Sequence, residues 1–358
     1  MVQISGNNVV IKGAPGSFFD GGGPLYWDGL GNNGGGPKPG IFMKLSLKNE
    51  SLVTDLYVLN TPTHAIDVDG VYDSTIQRII VNNSMGDTPN AISNGLSAGH
   101  NTDAFDVGNV ENLLMQDIQV WNQDDCVALS VSNNVTFRNF YCSGSHGLSI
   151  AGGGNGPGNN VTNILFTDAV VTNSSYGLRI KTDYNATGSV ANVTYSNIFV
   201  SNIKARGIDI EQDYLNGGPN GLPTNGVAVH NITYRNVTGW VAEGAADYYV
   251  LCGVGSCKDF KYEHVRITGG TVETIGSRNT HSNPLLRHQL PIFVNNRPSL
   301  PNQGKVGITK IGKLQINSAL GIGAIMNALL MLRVSRSLDG TSASWYKTLP
   351  AKPCRRLF

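Results

Sequence analysis

Three features of the sequence predict an all-β fold, a right-handed parallel β-helix. Short alternating strands recur in pairs, the recurrence is too close to admit a helix between strands, and the composition suits turns and strands. The repeat is clearest in four segments beginning at Leu114, Thr136, Leu165 and Thr194. Met115, Phe137, Phe166 and Tyr195 lead the first strand of each; Ile118, Phe140, Ala169 and Ile198 follow, then Val120, Cys142, Val171 and Val200. A second strand ends at Leu129, Ile150, Ile180 and Ile210. Successive segments are offset by 22, 29 and 29 residues with no helical periodicity, so strand pairs must stack coil upon coil around a shared apolar interior. Segments 52–70 and 75–93 extend the pattern upstream, and 231–241 and 260–270 extend it downstream. A β-sandwich would instead call for two-residue Asn-Gly hairpins every 8 to 12 residues, and these are scarce here.

Composition supports the fold and divides the chain. Gly numbers 44 and charged residues are only 14% of the total, which fits a turn-rich β protein with few surface helices. Residues 1–270 carry 14 Lys+Arg against 23 Asp+Glu, about −9, whereas residues 271–358 carry 12 against 2, about +10. The chain is therefore expected to comprise a β-helix domain, 1–271, and a basic tail, 272–358, atypical of the rest. The tail's Pro-punctuated composition and Cys354 fit a translated intron or a shifted reading frame.

Five cysteines, at 126, 142, 252, 257 and 354, allow at most two bridges and show no metal-site spacing; neither metal nor cofactor is expected. The first residues show no signal peptide, and the apolar run 320–332 is too short to span a bilayer and contains Asn327. No membrane or nucleic-acid partner is expected, and the protein should act as a monomer. Sequons at Asn49, Asn134, Asn192 and Asn231 are consistent with a glycosylated, secreted product.

Stacking gathers chemistry. Aligning NTDAFDV, 101–107, with NQDDCVA, 122–128, sets Asn101 over Asn122 and Asp103 over Asp124, on coils about 4.8 Å apart. Asp103, Asp124 and Asp125 then share one face, the following coil brings His146 into the same column, and the next points Arg179 and Lys181 outward on either side of Ile180. Crowded carboxylates cannot all ionise together, so one keeps a proton to higher pH, as a general acid must. Singly these residues have plainer readings, an Asp doublet as solvated turn, a His between glycines as turn residue, two basic residues as edge charges; their convergence favours a site.

The motifs Asn101-Thr102-Asp103, Gln123-Asp124-Asp125, Gly144-Ser145-His146-Gly147 and Arg179-Ile180-Lys181, in this order and followed by Tyr214 in IEQDY, resemble the polygalacturonases of glycoside hydrolase family 28, particularly the fungal endo-acting type. The resemblance covers roughly residues 14–271 and implies a pectin lyase-like solenoid that hydrolyses α-1,4 bonds of galacturonan in pectin with inversion. It implies Asp124 as general acid, Asp103 and Asp125 as the base that activates water, and His146 as support for the acid. It implies Arg179 and Lys181 as holders of substrate carboxylates, with Asn101 and Tyr214 placing the sugar rings. It also implies bridges Cys126–Cys142 and Cys252–Cys257 and an extracellular location. Inversion comes from the resemblance alone, since ladder spacing by itself favours the shorter carboxyl separation of retaining enzymes. The family's cysteine-bearing first coil, capping helix and final cysteine pair are not found here. Alternatives are an exo-acting or decorated-galacturonan hydrolase and a truncated pectin-binding β-helix that does not cleave; pectate lyases share the fold but their motifs are missing.

Overall fold

The computed structural model describes residues 1–271 except Gly156, Pro157 and Gly217, together with the backbone of Thr274–Ile275. The basic tail and its apolar run 320–332 otherwise lie outside the described residues. Among those described there is no α-helix, only short 3-10 turns at Gly23–Leu25, Gly31–Asn33 and Ser84–Gly86. No helix there is long and apolar enough to cross a membrane.

Strands alternate between two parallel sheets as the chain advances, which is the winding of a parallel β-helix. One sheet runs from Val2–Asn7 through Met43–Lys48, Ile66–Asp69, Phe105–Gly108, Val127–Leu129, Leu148–Gly152, Tyr176–Asp183, Arg206–Leu215 and Ala246–Leu251 to Thr274–Ile275. The other contains the long strands Tyr72–Asn82, Val110–Trp121, Ser132–Ser143, Asn160–Thr172, Gly188–Ile203 and Val227–Val241. The expected columns are present: Met115 pairs with Phe137, Phe137 with Phe166, and Phe166 with Tyr195, while Leu129, Ile150, Ile180 and Ile210 follow one another in the first sheet.

Inside the coil these side chains stack. Ring centroids lie 4.5 Å apart for Phe137–Phe166, 4.8 Å for Phe166–Tyr195, 5.2 Å for Tyr195–Tyr234 and 5.3 Å for Tyr234–Tyr262, all nearly parallel. Each such pair contributes about 0.5–1.5 kcal/mol beyond the burial of its area. Because parallel strands are offset by whole residues, a stack of this kind permits only one register.

Asparagine supplies the corners. The long strands bend at residues with left-handed backbone, among them Asn112 (φ 55), Asn134 (φ 55), Asn163 (φ 60), Asn192 (φ 57) and Asn231 (φ 54). Asn and Asp reach this region more readily than other side-chain-bearing residues. Their amides then bond from coil to coil, Asn134 to Asn112 at 2.8 Å, Asn192 to Asn163 at 3.0 Å and Asn231 to Asn192 at 2.7 Å. Three of the sequon asparagines are thus also rungs of this ladder. Replacing Asn192 by Val should destabilise the protein by about 2 kcal/mol in chemical denaturation, through left-handed strain and the lost rung, and Asn192→Gly by about half as much; equal losses would argue that backbone conformation at the corner is unimportant.

Candidate active site

The site lies at the edge of the first sheet, where the chain turns into the strands that begin at Phe105, Val127, Leu148 and Tyr176. Cys126 precedes Val127 and is bonded to Cys142 of the second sheet; Cys252 is bonded to Cys257, so both expected bridges are present. Asn122, fully buried, ties the turn together by donating its amide to the carbonyls of Thr102 (2.9 Å), Asp124 (3.0 Å) and Asp125 (2.9 Å). Gly147 (φ 86) must be glycine for two reasons: the left-handed backbone, and a Cβ that would fall 2.3 Å from the Gly177 carbonyl.

The convergence expected from the sequence is present, with one correction of register. Ala128 pairs with Asp106 and Leu129 with Val107, and Ala104 N donates to Asp125 O at 2.9 Å. Asp103 therefore neighbours Asp125, not Asp124. The alignment that set Asp103 over Asp124 is one residue short. It would have put inward Val107 against outward Ala128, and period-two alternation forbids that. His146 is likewise beside Asp125 along the backbone, its N–H donating to Asp124 O at 2.7 Å, and its ring reaches across to the Asp124 side chain.

Each acid has a different environment. Asp124 Oδ1 accepts from His146 Nδ1 at 2.9 Å and Asp125 N at 2.8 Å, and Oδ2 accepts from Asn101 Nδ2 at 3.1 Å. Asp125 Oδ1 accepts from Ser149 Oγ at 2.6 Å, and Oδ2 pairs with Lys181 Nζ at 2.7 Å. Asp103 is only 6% exposed, and its Oδ1 has no hydrogen-bond partner; His64 Nδ1 is 3.6 Å away and is itself bonded to Asp106 Oδ2 at 2.7 Å. Neither His64 nor Asp106 was singled out from the sequence.

These environments distribute the protons. Burial, then the negative charges of Asp124, Asp106 and Asp125, hold the Asp103 carboxyl well above its ordinary value of 3.8. Burial also pushes Asp124 upward, but the hydrogen bond and charge of His146, with Lys181 and the Asp125 N–H, outweigh it and hold this carboxyl below the ordinary range. Burial depresses His146, yet Asp124 and Asp125 together raise its imidazole above the ordinary 6.5. Asp103 and His146 therefore keep a proton to higher pH than the free groups, while Asp124 gives up its proton at lower pH. The acids and their histidines lie close enough to share a cation, as His64–Asp103–Asp106 or as Asp124–Asp125–His146. Internal hydrogen bonds already engage the nitrogen or oxygen atoms of His64, Asp106, Asp124, Asp125 and His146.

On the side of the acids toward Ile210, Arg179 and Lys181 project from the same strand as expected, but buried at 3% and 9% exposure and committed to acids of the protein. The Arg179 guanidinium bonds Glu211 and lies 3.2 Å from Asp209, over the rings of Tyr176 (3.9 Å) and Tyr214 (5.2 Å). Arg206 closes the network with Asp209 at 2.9 Å and Glu211 at 2.7 Å. Lys181 Nζ lies 4.9 Å from the Tyr214 ring centre. The sequence reading missed Tyr176, Arg206, Asp209 and Glu211, although Glu211 stands in the same IEQDY stretch as Tyr214. Beside His146 opens a cleft of ≈ 510 Å³ whose walls include Asp87, His100, Gln123, Ser175 and Lys204.

Known proteins resemble this chain in sequence and in fold. The family model for glycosyl hydrolases family 28 matches residues 1–284. A probable endopolygalacturonase D of Neosartorya fischeri is 47% identical over 270 residues, 75% of this chain and 57% of that one. A polygalacturonase of Fusarium fujikuroi is 45% identical over 271 residues, 75% of this chain and 73% of that one. The chain thus spans little more than half the length of the first of these relatives. Among solved structures, endopolygalacturonase I from Stereum purpureum complexed with two galacturonate superposes with a TM-score of 0.62 at 35% identity, covering 73% of this chain and 77% of that one. An endo-xylogalacturonan hydrolase from Aspergillus tubingensis shares the fold, with a TM-score of 0.60 at 22% identity. A β-helix with this ordered set of acids, histidine and cations, matched along most of its described length, belongs to family 28 of the glycosyl hydrolases.

Proposed function

We propose that this chain is an endo-acting polygalacturonase that hydrolyses α-1,4 bonds of galacturonan in pectin by general acid/base catalysis with inversion. The observation that carries the proposal is the gathering of three buried carboxylates with different hydrogen-bond and charge partners on one face, bordered by two cations. Family membership and the named activities of the relatives support the substrate class. The two disulfides suit an oxidising, extracellular setting.

Asp124 hands the proton to the glycosidic oxygen. Its low resting proton affinity means that the proton comes from His146 along the 2.9 Å hydrogen bond as an anionic substrate enters and raises the affinity of every carboxyl nearby. Asp125, oriented by Ser149 and Lys181, activates water together with Asp103. Lys181 has three N–H donors and Arg179 five, so each can keep its internal partner and still face a substrate carboxylate. That local attraction is needed because the acidic body repels a polyanion at long range. Tyr214, over which both cations lie, forms a wall against a sugar ring, and Asn101 fixes the outer oxygen of Asp124.

Two outcomes test the proposal. Asp124→Asn should lower kcat on polygalacturonate by about 10²–10⁴, followed as new reducing ends with viscosity, while leaving the fold intact. The parent protein should drop viscosity quickly at low bond cleavage, the mark of endo attack. Slow viscosity loss with monomer release favours an exo enzyme, and binding without cleavage by both proteins favours a binding module. The pH profile of kcat/KM should be bell-shaped. Because Asp103 is raised, its proton is lost only above the ordinary 3.8, so the acidic limb falls above that value. Because His146 is raised, its proton persists beyond 6.5, and activity should decline only above it. A rate constant through alkaline pH would exclude His146 as the proton source.

A further inference from the structure

His146 is one of two histidines that bracket the acids. The segment His64-Ala65-Ile66-Asp67-Val68 lies along Asp103-Ala104-Phe105-Asp106-Val107, with Ile66 paired to Phe105 and Val68 to Val107. Ala65 N donates to Asp103 O at 2.8 Å, so the same register sets His64 beside Asp103. The ring is held by Asp106, with 2.7 Å between Nδ1 and Oδ2, and the same nitrogen is 3.6 Å from Asp103 Oδ1. That oxygen is buried and has no partner. A base must be ionised to accept a proton from water, and a buried carboxyl with an unpartnered oxygen among three other carboxylates resists ionisation.

We propose that His64, held by Asp106, is a positioning residue for Asp103: its Nδ1–H turns from Asp106 Oδ2 to the unpartnered Asp103 Oδ1, and the imidazolium charge lets Asp103 release its proton to solvent. The inference rests on the polygalacturonase function proposed above and adds a residue to it. The required motion is small, since the two acceptors differ by less than 1 Å in distance from the nitrogen. The surroundings keep the imidazole charged. Burial alone would lower it, but the Asp106 hydrogen bond and the charges of Asp106, Asp124 and Asp125 raise it above its ordinary value. From the strand on its other side, Lys44 is engaged by Asp67 and Asp69 at 3.0 and 2.7 Å. Beyond the acids, Lys181 is engaged by Asp125. His64 is thus the charged group beside Asp103 whose ring can exchange one carboxylate acceptor for the other over a short distance.

The test compares pH profiles of kcat/KM on polygalacturonate for the parent, His64→Gln and Asp106→Asn, with thermal melting to verify folding. Loss of the imidazolium should move the acidic limb of His64→Gln upward by about one pH unit with the alkaline limb in place. Asp106→Asn removes a repelling charge and the competing acceptor, so its acidic limb should move downward. Opposite shifts are the signature, since a purely structural role would lower activity without moving the limbs apart. An unmoved acidic limb in His64→Gln, or shifts of the same sign, would overturn the inference. Should the parent not cleave polygalacturonate, the function fails separately, and the Asp103 carboxyl resonance followed by carbon-13 NMR still decides: its midpoint must rise in His64→Gln for the inference to stand.

Discussion

Everything in this molecule depends on the parallel register between successive coils. Main-chain hydrogen bonds hold neighbouring strands about 4.8 Å apart. The interior stack of Phe137, Phe166, Tyr195, Tyr234 and Tyr262 and the corner ladder of asparagines then remove any freedom to slip. Once register is fixed, side chains far apart along the chain must stand side by side on the outer face. The geometry of a site that gathers groups from five coils is therefore set by strand register, and its carboxylates are forced together at a separation they would not choose in water.

That crowding is unfavourable in itself, and the structure answers it group by group. Lys181 and Ser149 hold Asp125, His146 and Asn101 hold Asp124, and Asp103, with one oxygen unpartnered, holds its proton to higher pH. Arg179 would be a costly buried cation were it not shared between Asp209 and Glu211, with Arg206 balancing the second negative charge. Burial and the neighbouring Glu211 push Asp209 up to about 7, so this network can gain a proton, and with it positive charge, in the acidic range where the proposed reaction runs. The same arrangement that limits stability thus supplies local attraction for a polyanion.

Much of this was legible in the sequence because apolar columns are periodic and outward residues inherit their spacing. Met115, Phe137, Phe166 and Tyr195 fixed the coil offsets, and from them the gathering of Asp103, Asp124, Asp125, His146, Arg179 and Lys181 followed. The slip of one residue at Asp103 follows from identity of Asn and Asp, which outweighs the inward column in which Val107 stands in register with Leu129. His64 escaped notice because the loop 83–101 lengthens its coil to 39 residues and breaks the regular offset. Its signal was present nonetheless in the likeness of HAIDV to DAFDV. The Arg206–Asp209–Glu211 network could not be read, because alternation along a strand shows which residues face outward but not which of them bury one another.

Neutron diffraction from crystals held at a pH below the acidic limb of the activity profile tests the central claim most directly, because it locates the three acids and their protons at once. The account predicts a deuteron on Asp103, deuterons on both ring nitrogens of His146, and a bare Asp124 carboxylate. A protonated Asp124 beside a neutral His146, or three carboxylates standing apart and all ionised, would contradict it.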